Sequence, residues 1–102
     1  MKRALAACLA LVLGAIAAQA QRSYKPKDGY VPNEETAIAI AVAVWSPIYG
    51  KAKIEKEKPF RAQLSNGIWT VEGSLPKGWH GGTAEADISK DDGRILRVIH
   101  GK

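Results

Sequence analysis

The spacing of apolar residues changes once along the chain, at Pro59, and that change calls for an α+β fold. Before it, Ile38, Ala41, Val42, Trp45 and Ile48 recur at steps of three or four, which is the stripe of one helix. Asn33 is a suitable N-cap. Glu34 and Glu35 follow in the first turn, where the helix dipole favours negative charge. Val31, ahead of Pro32-Asn33, helps fix where the helix begins. Ile40 and Val44 flank the stripe, so the helix is apolar nearly all round and is predicted to be buried on more than one side. Pro47 removes a backbone donor and loosens the last turn, and Gly50 is the stop.

After Pro59 the period is two. Phe60, Ala62 and Leu64 alternate with Arg61 and Gln63. Asn66-Gly67 is a tight hairpin turn, because both residue types tolerate positive φ. Trp69, Val71, Gly73 and Leu75 then alternate with Thr70, Glu72 and Ser74, and Ala84, Ala86 and Ile88 with Glu85 and Asp87. Asp91-Asp92-Gly93 is a second turn, and Ile95–His100 a last strand with Leu96 and Val98 on the face opposite Ile95, Arg97 and Ile99. These elements sum to one long N-terminal helix on a four-stranded antiparallel meander. Ala84 and Ala86 leave room for Trp45 to cross the sheet. Lys51–Lys58, with alternating charge signs and Ile54 as its large apolar residue, reads as a solvated connection or a charged edge strand rather than a docking strip.

The N-terminus has a different character. Met1-Lys2-Arg3 is positive, Ala4–Ala18 carries no charge, and Ala18-Gln19-Ala20 is a small-x-small exit. Together they form the three parts of a cleavable export signal over residues 1–20. The apolar run is short for a membrane span, so no stable membrane anchor is expected after cleavage. Leu5-Ala6-Ala7-Cys8 looks like a lipoprotein box, but most of the apolar run follows Cys8 instead of preceding it. Residues 21–29, polar with Pro26 and Gly29, read as a flexible leader, and 30–102 as the folded domain. Cleavage leaves 82 of the 102 residues and no cysteine, so disulfides are excluded. Loss of Lys2 and Arg3 takes Lys plus Arg from 15 to 13 against 10 Asp plus Glu, a net charge of +3. The charges are interleaved, without the clustered basic face of a nucleic-acid binder. A domain this small buries only about 60% of its unfolded surface, and either a monomer or a homodimer is consistent with that.

Catalytic signatures are absent from the sequence: there is no CxxC, HExxH, GxSxG, phosphate loop or GxGxxG. No cofactor or metal site is expected, since His80 and His100 lie 20 apart without a ligand cluster. His100, third from the end, is expected to fray. Two binding patches stand out. One is the Gly-rich loop Lys77-Gly78-Trp79-His80, where Trp79 is either an interface anchor or a lid folded back on the core. The other is the polar sheet face of Arg61, Gln63, Thr70, Glu72, Glu85 and Asp87, which is otherwise simply the wet side of a half-buried sheet.

Ordered segments from Gly29 onward carry a resemblance: Gly29-Tyr30-Val31-Pro32-Asn33-Glu34-Glu35-Thr36-Ala37, Trp45-Ser46-Pro47-Ile48-Tyr49-Gly50, Lys58-Pro59-Phe60, Trp69 to Pro76, Gly81-Gly82, Asp92-Gly93-Arg94-Ile95-Leu96 and His100-Gly101-Lys102. In this the chain resembles the immunity proteins with a nuclear transport factor 2-like fold, from bacterial polymorphic toxin systems. The resemblance implies a cystatin-like roll with a helix packed in a curved sheet. It also implies a non-enzymatic role, binding and neutralising a toxin or effector, which with the export signal would take place in the periplasm or outside the cell. A small-ligand carrier or enzyme built on the same roll is the alternative, and the mature chain offers few polar groups to line its pocket.

Overall fold

A computed structural model describes residues 22–102. The expected export signal and Cys8 lie outside the described residues. The elements run α1 (Glu34–Tyr49), α2 (Lys51–Glu55), β1 (Arg61–Ser65), β2 (Ile68–Glu72), β3 (Ala84–Ser89) and β4 (Ile95–His100). The four strands form one antiparallel sheet in the order β1-β2-β3-β4, with α1 packed on it.

Helix α1 starts where its cap residue dictates. Asn33 is extended, and its Oδ1 accepts the Thr36 N–H at 2.9 Å and the Thr36 hydroxyl at 2.6 Å. Such a cap contributes about 1 kcal/mol. The helix was expected to be the single one. Instead Gly50, at φ +100, redirects the chain into α2, a five-residue helix over part of the segment read as a solvated connection. Gly50 serves both helices: its N–H donates to Ser46 and its carbonyl accepts from Ile54. Ile54 is fully buried and pins α2 to the core, which explains why this charged stretch is not loose.

The buried line of α1 steps by four, through Ala37, Ala41 and Trp45, and continues to the partly buried Tyr49. Ile48, assigned to the stripe by its spacing, is 58% exposed. A helix of 3.6 residues per turn carries position 48 off a line that already reaches position 49. Three alanines on the facing strands, Ala62, Ala84 and Ala86, are buried against this helix face. Trp45 fills the gap they leave. Its ring lies 5.8 Å from that of Phe60, and its Nε1 donates to the Glu85 carbonyl at 3.3 Å. In the same core, the Trp69 Nε1 donates to the Val31 carbonyl at 2.8 Å.

The first hairpin follows its turn chemistry. Ser65 pairs with Ile68, and Asn66 and Gly67 have φ of 51° and 75°. Gly67→Val has open space for its side chain but an unsuitable φ. The expected result is a loss of about 1–2 kcal/mol, read as a melting temperature lower by roughly 5–10 °C; an unchanged melt would contradict this register. The last strand departs from strict alternation. Asp87 pairs with Arg97 while Ile88 pairs with Ile95, so Leu96 is the extra residue of a bulge and stays exposed.

Residues 22–29, expected as a flexible leader, contain no helix or strand, and the chain after them is tied to the β3–β4 turn. Tyr30 and Val31 donate their N–H groups to the carbonyls of Asp91 and Lys90 at 2.9 and 3.0 Å. Gly29, at φ +87, lies so close to the Lys90 carbonyl that a side chain would collide with it.

Candidate functional site

The outer sheet face brings together most of the polar residues singled out from the sequence, because the register places them side by side. Arg61 stands opposite Glu72, Thr70 opposite Asp87 and Asp87 opposite Arg97. Arg61 Nη2 meets Glu72 Oε1 at 3.0 Å, the Thr70 hydroxyl donates to Asp87 at 2.9 Å, and Arg97 bonds Asp87 at 2.8 Å while its Nη2 reaches Glu85. Arg97, which sequence reasoning left out of the patch, is its hub. The face is therefore a largely self-neutralised network.

The Arg97 hydrogen bond holds the Asp87 carboxyl below the usual carboxylate range, against the opposing effect of burial and with help from Thr70. A depressed carboxylate stabilises the fold above its unfolded value, near pH 4, and the contribution disappears as pH falls through the folded value. Asp87→Asn should flatten the acid limb of stability against pH below about 4. Parallel curves for the two proteins would show that this pair carries no linkage.

The second surface is an open recess of about 460 Å³ at the end of the sheet where β2, β3 and β4 meet the region following α2. Leu75, Pro76 and Trp79 give it an apolar wall, and Lys53 and Lys56 stand at its rim. Trp79 does not fold back as a lid on the core; it is 69% exposed. The loop reaches this position through a turn in which the Trp79 N–H donates to the Pro76 carbonyl at 3.1 Å and Gly78 takes φ +85. Lys77 and His80, its neighbours in the loop, are exposed and do not line the recess.

Beneath this wall lies a pair that sequence reasoning missed. Glu57, just past α2, is 6% exposed. Its Oε1 accepts the Ala84 N–H at 2.7 Å and its Oε2 meets His100 Nε2 at 2.9 Å. The Glu57 carbonyl accepts the Ser74 N–H at 2.7 Å, and Gly73 leaves no room for a side chain, since a Cβ there would lie 2.7 Å from Glu57 Oε1. Glu57 thus joins the region after α2 to β3 and β4 through its carboxylate, and to the end of β2 through its backbone carbonyl. His100 does not fray: it closes β4, and its ring lies 5.1 Å from that of Tyr49. Its Nδ1 is 2.7 Å from the Gly101 carbonyl, so both ring nitrogens are engaged within the chain and neither is presented to the recess. Ser74, which donates its hydroxyl to the Pro59 carbonyl, is not bonded to either histidine. Among the described residues no group of three or more His, Cys, Asp and Glu is placed to hold a metal, and no helix is long and apolar enough to cross a membrane.

A helix packed on a four-stranded antiparallel meander, with an open recess at one end, is an α+β architecture consistent with the nuclear transport factor 2-like fold. The chain belongs to a family of that fold: the model described as NTF2 fold immunity protein matches residues 36–102, from the first turn of α1 through β4, and so includes both surfaces. The chain is also similar to the Escherichia coli (strain K12) protein named "Uncharacterized protein YhhH", at 33% identity over 87 residues, covering 79% of this chain and 68% of that protein. No solved structure matches.

Proposed function

We propose that this protein is an exported immunity protein, acting in the periplasm or outside the cell, which binds a toxin and neutralises it without turnover. Residues 1–20 are removed as the signal, and the domain of residues 30–102 does the binding. Membership of an immunity-protein family supports a toxin as partner. The single observation that carries a binding role is Trp79, 69% exposed beside an apolar recess. Tryptophan is the residue type most enriched at binding hot spots, and its exposure in a free protein is balanced when a partner covers it. A domain of this size can present the roughly 800 Å² that a specific interface requires of each partner.

The test is protection. A toxin encoded beside this gene is directed to the periplasm of a sensitive strain. Co-expression of the full chain should restore growth, and a version starting at Gln21 behind an initiator Met should not. Mass spectrometry of the periplasmic protein should find Gln21 at its N-terminus. Failure to protect would refute the immunity role, and an acylated Cys8 would refute cleavage after Ala20.

A further inference from the structure

We infer that the recess beside Trp79 receives an acidic segment of the toxin, an apolar side chain flanked by carboxylates. The inference rests on the immunity reading and adds to it the surface used and the chemistry of the partner. The two candidate surfaces differ in what their charges are doing. On the sheet face Arg97 is held by Glu85 and Asp87, and Arg61 by Glu72. A partner docking there gains little, because each charge it offers competes with a pair already made.

At the recess the balance is the opposite. Lys53 and Lys56 are exposed and form no salt bridge among the described residues, and the same holds for Lys77 in the adjoining loop. Lys56 continues the helical turn of α2, so the spacing of three puts it on the same side as Lys53. Among the described residues, the one carboxylate lining the recess is Glu57, and it is turned inward to Ala84 and His100. The result is an apolar wall of Leu75, Pro76 and Trp79 beneath uncompensated positive charge. The complement of that surface is a protruding apolar side chain with carboxylates beside it. A phosphate-binding groove is positively charged and would be repelled by the lysines. The toxin face contacted is therefore an acidic one, away from any nucleic-acid groove the toxin possesses.

The experiment measures association of the exported, mature domain with the toxin encoded beside its gene, by interferometry across a range of salt concentrations. Trp79→Ala should raise Kd by ~30-fold or more, equivalent to about 2 kcal/mol. The double variant Lys53→Glu/Lys56→Glu should slow association and remove most of its salt dependence. Replacing the contacting toxin carboxylates by lysine should restore binding to that double variant. Arg61→Ala, on the sheet face, should change Kd by less than about 3-fold. All these positions are exposed, so thermal melts should match the wild type. If Trp79→Ala melts lower, the charge-reversal arm decides the question. If the wild type binds while the recess variants bind equally well and Arg61→Ala binds poorly, the inference is overturned and the immunity reading stands. If the wild type binds no neighbouring toxin, the immunity reading falls and takes the inference with it.

Discussion

Glu57→Ala should lower the melting temperature of the domain by about 15 °C, the largest effect expected from any polar position. The side chain is buried and satisfies two groups at once, the Ala84 N–H and His100 Nε2. Truncation leaves a buried N–H without an acceptor and an imidazole without its partner, and each orphaned group costs about 1–3 kcal/mol. A loss of about 3 kcal/mol is therefore expected, and for a domain of this length each kcal/mol moves the melt by roughly 4–8 °C. Glu57→Gln separates hydrogen bonding from charge. The amide oxygen can still accept from Ala84, and the amide N–H can donate to Nε2 while Nδ1–H donates to the Gly101 carbonyl. That variant should lose less than about 1 kcal/mol, since no buried group is left without a hydrogen-bond partner. A double-mutant cycle with His100→Ala should give a coupling of at least about 1 kcal/mol. Additive single losses would mean that the two side chains act independently.

Trp45→Ala should be more damaging still to the core, by about 3–5 kcal/mol and toward the top of that range. The cost of such a truncation depends on whether neighbours can move into the space. Here the line of α1 leading up to Trp45 is Ala37 and Ala41, and the facing strands contribute Ala62, Ala84 and Ala86. Methyl groups on rigid helix and strand backbones cannot reach across the hole. The indole also takes with it the hydrogen bond to the Glu85 carbonyl. Urea unfolding should show a much lower midpoint with an unchanged slope, the mark of lost stability in an otherwise intact two-state transition. Trp45→Phe keeps most of the ring volume and should lose only about 1–2 kcal/mol. A small effect from Trp45→Ala would mean that α1 can shift on the sheet to close the gap.

Much of this architecture is legible in the residues because local signals and burial agree. Asn33 caps α1, Asn66-Gly67 makes the hairpin, and the alternating residues of β2 and β3 show which sheet face is dry, whereas on the edge strand β1 Ala62 is buried and Leu64 is exposed. Sequence reasoning fails where a residue's role depends on a distant partner. Glu57 sits in a run of alternating charges, and a charged residue there is by default solvated. Its burial follows from Gly50 turning the chain into α2 and from the Ala84 N–H and His100 waiting at the far side. His100 looked loose because it is near the end of the chain, but the same glutamate holds it. The Leu96 bulge has no marker in the apolar pattern, because Ile95-Leu96 and Val98-Ile99 put apolar residues on both faces of β4. For the candidate site, Trp79 was visible as a tryptophan among glycines, whereas the lysines that give the recess its charge come from a segment whose helix was not foreseen.

The meander has a kinetic consequence. Each strand lies beside its neighbour in the chain, so the sheet can grow by closing short loops, which is the quick part of folding. The Glu57–His100 contact is of another kind, since it joins residue 57 to residue 100 across 43 positions. A nascent chain therefore has its hairpins before it has a floor under the recess. The recess is assembled from three separated stretches of sequence and exists only once the last strand has arrived. A partially synthesised or half-folded chain displays Trp79 with nothing organised beneath it.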